Sequence, residues 1–383
     1  MAPDLGRLYH AAWRAAPRLP ESLVRGITTA SSRLSARRNT AGYRQLRANL
    51  SRIRPDATPA ELDELAHQGM VEYGRYYAEA FLLPKFSTPE DLADRVRAHH
   101  TATSEEDLRR GSVVLALGHT GNWDIAGAWM CANHATVLTV AEKLEPESLF
   151  LEFLAFRESL GMEVLALEKG QNVFRQLVRR AVADRRAVCL LADRDLTTKG
   201  VEVDLAGEKA LFAAGPAAVA LAARIPLYFV GIRSDQIEGR DGRLRWGIDL
   251  EFHGPITAPE EVGGRPIESH ERIAALTQAW VDELASYIRR FPTSWHMLQK
   301  VFVTDLDPER LARRDAKASD AVDGGTRAGT NVPDVGGQAG TDVPDVGGEA
   351  RADVSDGGTR AGMDVSDVGD EAGTDGARGG DAG

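Results

Sequence analysis

Val113-Val114-Leu115-Ala116-Leu117 runs into Gly118-His119-Thr120-Gly121-Asn122-Trp123-Asp124, and these residues decide how the chain is read. The first five are uninterruptedly apolar, as a strand buried on both faces of a sheet requires. A glycine-containing turn then delivers a histidine. A carboxylate comes five positions later, where a helix begins. Histidine is the side chain best suited to accept a proton near neutral pH, and a carboxylate can orient its ring and stabilise its charged form. The stretch predicts a strand–turn–helix unit that carries a base able to deprotonate a hydroxyl.

Working outward, β-like runs recur at 112–117, 135–141, 162–167, 187–192, 227–232 and 245–251. Helical segments at 124–132, 147–160, 171–184 and 216–223 separate most of them. The alternation predicts an α/β fold, a mostly parallel central sheet flanked by helices. Val201–Leu205 adds a short strand, and a last helix from about Ser269 to Arg290 aligns Ile273, Leu276, Trp280, Leu284 and Ile288 on one face. Ligands of such sheets bind beyond the carboxyl ends of the strands.

Residues 1–100 read as a helical N-terminal region. Arg7, Arg14, Arg18 and Arg25 would share one helical face, but Pro17 and Pro20 break that register and predict two short helices. Ala60–Phe81, introduced by Thr58-Pro59, is a stronger helix. From Ala318 the chain turns to Gly, Ala, Asp, Val and Thr in a degenerate repeat with no aromatic residue. Such a segment cannot bury enough apolar surface to offset its ordering entropy, and 318–383 is expected to be a disordered acidic tail behind a domain at 1–317.

The formal charge of −11 is unevenly spread. The tail holds fourteen Asp/Glu against four Arg, whereas residues 1–54 hold eleven Arg against Asp4 and Glu21. A basic front suits an anionic membrane surface or an acidic ligand, or is simply a solvated helical face; a nucleic-acid partner is not expected. Cys131 and Cys189 sit in apolar contexts and read as free thiols of a reducing compartment. No signal-peptide core precedes the domain, and the longest apolar run, 210–223, is too short to span a bilayer. The expected location is the cytoplasmic face of the cell membrane, peripherally attached.

Two polar clusters lie at strand ends. In the first, Asp124 either supports His119 as its charge partner or merely caps a helix. In the second, Asp193-Arg194-Asp195 succeeds the run 187–192: one acid can meet the histidine and Arg194 a phosphate, or the three form a self-satisfied surface turn. Arg157 either meets an anionic ligand or pairs locally. Gly215-Pro216 opens an alanine-rich helix that reads as core or as one wall of an acyl-chain slot. The other histidines, including His99-His100, have no evident partner and are expected on the surface. There is no G-x-S-x-G elbow, Walker loop, G-x-G-x-x-G or zinc spacing, so neither a covalent serine mechanism nor a metal or cofactor is expected.

At these residues the chain resembles the bacterial lysophospholipid-acyltransferase-like family that includes the lipid A late acyltransferases, most of all its phosphatidylinositol mannoside acyltransferase branch. The resemblance spans roughly residues 5–305. It rests on His119–Asp124, Phe156-Arg157 with Gly161, Asp193–Leu196 with Gly200–Val203, Ala214–Pro216, and Pro292-Thr-Ser-Trp-His-Met-Leu-Gln299. It implies an acyl-CoA-dependent O-acyltransferase. His119 would be the base, Asp124 its charge-relay partner, and Asp193 a second contact to the histidine or the acceptor sugar. Arg157 and Arg194 would lie near the substrates, with Gly121 and Asn122 in the turn that holds the reacting carbonyl. The implied substrates are acyl-CoA, palmitoyl-CoA above all, and a phosphatidylinositol mannoside.

Overall fold

The computed structural model describes Trp13 and residues 15–142, 147–167, 172–195, 200–262, 264–268 and 271–307. Arg7, Arg14, Leu196 and the expected tail at 318–383 lie outside the described residues. Three helices come first: α1 (Glu21–Arg37), α2 (Ala41–Ile53) and α3 (Pro59–Leu82). Pro20 does end the preceding 3-10 turn at Ala16–Arg18, but beyond it runs one helix of 17 residues and not a second short one. α3 starts where Thr58-Pro59 predicts. Thr58 Oγ1 accepts from the Glu61 N–H at 3.3 Å, and Glu61 Oε2 accepts from the Thr58 N–H at 2.7 Å, a reciprocal cap.

A short helix α4 (Pro89–Ala93) leads to β1 (Val96–His99), a strand inside the region expected to be helical. Its four residues show no alternation of burial, so no period of two was there to read. After α5 (Ala102–Arg110) the chain alternates as expected: β2 (Val113–Leu117), α6 (Trp123–Asn133), β3 (Val137–Glu142), α7 (Glu147–Ser159), β4 (Glu163–Leu167), α8 (Val173–Ala183) and β5 (Ala187–Leu191). A hairpin of β6 (Val201–Leu205) and β7 (Glu208–Phe212) precedes α9 (Gly215–Ala223), β8 (Leu227–Glu238), β9 (Leu244–Ile256) and α10 (Arg272–Arg290).

The main sheet has seven strands in the order β1-β9-β8-β2-β5-β3-β4. Every neighbouring pair is parallel except β8 with β9. β8 and β9 are longer than the apolar runs that announce them. Burial is continuous from Leu227 to Ile232 and then breaks up, so the projecting arm of the hairpin carries polar residues that an apolar run does not reveal.

Side-chain alternation along β2 divides the core. Val114 and Ala116 face α8, α9 and α10, whereas Val113, Leu115 and Leu117 face α5, α6 and the end of α3. A third cluster, with Tyr43, Leu46, Leu50, Ala66 and Met70, fastens α2 to α3. β2 is buried along its whole length, which makes its carboxyl end a rigid mount for the turn beyond it.

Candidate active site

β2 and β5 are parallel neighbours with Leu117 opposite Leu191. Two residues further along each strand brings His119 and Asp193 to the same level at the carboxyl edge, with a period of two turning both toward one another. The His119 Nδ1 lies 2.5 Å from Asp193 Oδ1. The other carboxylate oxygen accepts the His119 backbone N–H at 2.8 Å and the Trp295 indole N–H at 2.9 Å. Asp193 is fully buried. Burial alone would raise its carboxyl, but the imidazole, the ring and backbone contacts of His119 and the Trp295 indole outweigh it and hold it below the usual carboxylate range. Its charge is thereby fixed at neutral pH.

With Nδ1 engaged, Nε2 is left as the basic nitrogen, and it has no hydrogen-bond partner among the described residues. The His119 side chain keeps 22% of its surface exposed, so the ring is reachable from outside. Trp123 stands edge-on to it at 5.5 Å, and Tyr76 lies against Trp123 at 4.4 Å.

Asp124 sits elsewhere than the H-x4-D spacing suggests. It is buried in the first turn of α6, where Oδ1 takes the Arg157 Nε–H at 2.8 Å and Oδ2 the Tyr76 hydroxyl at 3.0 Å. Burial first, then the Asp124 charge, pushes the Tyr76 phenol far up, so it remains a donor. The acid facing the imidazole is therefore Asp193, and Arg157 is held by Asp124. The physical reason is the helix start: α6 begins at Trp123, which turns Asp124 toward α3 and α7 and away from the ring.

Asn122 and Gly121 are also turned inward. Asn122 is fully buried. Its Oδ1 caps α6 by accepting from the Asp124 and Ile125 N–H groups at 3.1 Å, and its Nδ2 donates to Glu79 Oε2 at 3.1 Å. Gly121 has φ +52°, and a Cβ there would meet the Ile232 backbone at 2.7 Å. Glycine is needed for the turn itself. Of the turn's three N–H groups, that of Thr120 donates to Gly118 O and that of Gly121 to Ser294 O, leaving Asn122 N–H without an acceptor among the described residues.

Arg194 is partly exposed and lies near enough to Tyr73 to act on its phenol electrostatically. Asp195 is buried, with its N–H on Leu211 O. Gly215 to Ala220 of α9 are all buried in the core. Among the described residues no group of His, Cys, Asp and Glu has the arrangement of a metal site.

Sequence reasoning misses Tyr76, Glu79 and His296. His296 is expected on the surface but is buried, and its N–H donates to His119 O at 2.7 Å. Neither ring nitrogen has a hydrogen-bond partner among the described residues. Burial, then the neighbouring His119 and Arg75, lowers its pKa to about 3, so the ring is neutral. His99 likewise has a partner, the buried Asp249, at 3.0 Å. Trp295-His296 stands within the Pro292–Gln299 motif, the one signal that marks this segment.

Residues 5–304 match the family described as bacterial lipid A biosynthesis acyltransferase. A phosphatidylinositol mannoside acyltransferase of Mycolicibacterium smegmatis is 39% identical over 313 residues, covering 81% of this chain and 94% of the relative. One from Mycobacterium tuberculosis H37Rv is 38% identical over 314 residues, covering 80% of this chain and 90% of the relative. The chain belongs to the bacterial lipid A biosynthesis acyltransferase family, and it is an acyltransferase.

Proposed function

We propose that the protein transfers a long acyl chain, palmitoyl by preference, from acyl-CoA to a mannose hydroxyl of a phosphatidylinositol mannoside. The observation that carries this reading is the partly exposed imidazole held through Nδ1 by a buried, charged Asp193. The acceptor is taken from the named relatives. His119 Nε2 takes the proton of the mannose hydroxyl as its oxygen adds to the thioester carbonyl, and Asp193 stabilises the imidazolium that forms. The addition forms a tetrahedral intermediate beside the exposed ring. The C–S bond then breaks, and the imidazolium returns the proton to the departing thiolate of coenzyme A. No acyl-enzyme is needed.

Substrates of this kind reside in a bilayer, and α1 supports a peripheral attachment. It exposes Leu23 at 48% and Ile27 at 53% in its first half, with Arg33 and Arg37 exposed in its second half and Arg38 at its cap. That combination suits insertion at an anionic lipid surface on the cytoplasmic side. No helix among the described residues is long and apolar enough to cross a membrane.

The test is incubation of the purified protein with radiolabelled palmitoyl-CoA and a panel of inositol mannosides. Label should pass to a mannoside, and His119→Ala should abolish transfer while the melting temperature holds. Transfer to other lipids alone, or full activity in that variant, would refute the reading.

A further inference from the structure

Glu79 is a fully buried carboxylate in the last turn of α3 that the transfer chemistry does not use. Its two oxygens face different parts of the molecule. Oε2 accepts from Asn122 Nδ2 at 3.1 Å, and Oε1 accepts from Arg25 on α1 at 3.3 Å. Asn122 is three residues beyond His119, and its remaining oxygen starts α6. Arg25 is fixed in turn by Glu21, 2.8 Å from its Nε, and it lies over the Trp246 ring at 5.8 Å. α1 can approach α3 this closely because position 74 is glycine: a Cβ there would meet Ser32 Oγ at 2.2 Å.

Taking a carboxylate out of water is costly, and an apolar side chain would fill the same space without that cost. What an apolar residue cannot do is orient an amide. Asn122 is an asymmetric group: two N–H donors of α6 call for its oxygen, and the acceptors opposite hold its N–H₂ the other way, Glu79 Oε2 at 3.1 Å being nearer than Tyr76 O at 3.4 Å and the one that carries charge. Rotating the amide would remove the cap of α6 and move the end of the turn that carries the base.

We propose, on the reading that the site transfers acyl groups, that Glu79 is a positioning residue for His119: it sets the orientation of Asn122, and through Arg25 it ties the catalytic turn to α1. The chain Arg25–Glu79–Asn122 makes the geometry of the base depend on how α1 is seated. α1 is also the helix that exposes Leu23 and Ile27.

The test reverses the polarity of one hydrogen bond. Glu79→Gln keeps the oxygen that faces Arg25 but turns an N–H₂ toward the Asn122 N–H₂, two donors head to head. Asn122→Asp keeps an oxygen to cap α6 but sets carboxylate against carboxylate. Combined, the two substitutions restore a donor–acceptor pair, and the number of carboxylates at the junction is again one. Steady-state kinetics with palmitoyl-CoA and a mannoside acceptor at pH 8 should show each single variant at least roughly tenfold down in kcat with KM little changed, as small displacements of a base produce. The double variant should recover to within about threefold of wild type.

The low-field proton resonance of the His119–Asp193 hydrogen bond gives a readout without turnover. It should broaden or shift in the single variants and return in the double variant. A double variant no better than the poorer single variant, or single variants with wild-type kcat and an unshifted resonance, would overturn the inference. If Asn122→Asp alone does not fold, the double variant must still exceed Glu79→Gln, and failure to do so overturns it equally. A wild-type protein that transfers no acyl group at all would instead count against the proposed function, and the resonance would still judge the role of Glu79.

Discussion

Replacing Asp193 by asparagine isolates the electrostatic part of the dyad, because the amide keeps the size and shape of the acid. The carboxylate accepts three N–H groups: the His119 ring on one oxygen, and the His119 backbone with the Trp295 indole on the other. An amide has one acceptor. Its oxygen is best used on the pair of N–H donors, which turns its N–H₂ toward Nδ1 and makes that nitrogen the acceptor. The proton of the neutral ring then resides on Nε2, the atom that on the proposed mechanism takes the proton from the acceptor hydroxyl. The charge is lost as well. With imidazolium and carboxylate centres about 4 Å apart and an effective dielectric constant of about 20, their attraction is about 4 kcal/mol. That corresponds to roughly three decades in rate. Asp193→Asn is therefore expected to lower kcat about 10³-fold or more with the folded state intact and KM for palmitoyl-CoA little altered. The assay is transfer of radiolabel to an inositol mannoside under saturating donor, with a melting curve alongside. A variant that retains more than about a tenth of wild-type kcat would refute the assignment of Asp193 as the acid behind the base.

Other substitutions separate neighbouring roles. Asp124→Asn removes the charge that holds Arg157 and should cost about 3 kcal/mol or more in denaturant-measured stability; unlike Asp193→Asn, it should leave the pH profile of kcat in place, and a shifted profile would return Asp124 to the relay. Burial lifts the Glu79 carboxyl to about 7 against the pull of Arg25 and Asn122. The native state thus holds a proton that the unfolded chain releases from an ordinary carboxyl, and stability relative to Glu79→Gln should fall as pH rises from the ordinary carboxyl range to about 7, by about 3 kcal/mol at most, levelling above that. Matched stability curves at several pH values check the sign, and a rise over that window would contradict it. Removal of residues 318–383 should leave the melting temperature and turnover unchanged within error, and precipitation or lost activity of the shortened chain would contradict a separate tail.

The sheet is legible because its strands are short apolar runs divided by helical periods, and β2 is the plainest of them. What spacing cannot supply is strand order. β3 comes after β2 in sequence but lies beyond β5, so the neighbour of His119 comes from 74 residues away. An acid five positions downstream looks the nearer partner until the helix start at Trp123 turns it aside. β1 and the outer half of β8 stay hidden for the opposite reason, since their side chains are too mixed in burial to leave a period.

Glu79 marks the limit of what periodicity reveals. The apolar spacing of α3 is carried by Leu62, Leu65, Met70 and Tyr73, and an acid further along an amphipathic helix is read by default as part of its solvated face. Yet Ala78, Glu79 and Ala80 are all buried, because α1 and the turn after β2 cover successive sides of the helix there. Small residues on either side of a lone acid are the trace this leaves in the chain: alanines let two partners approach closely enough for one carboxylate to reach both. On the inference above, the charge at this position orients its partners, and Asn122 among them lies three residues beyond His119.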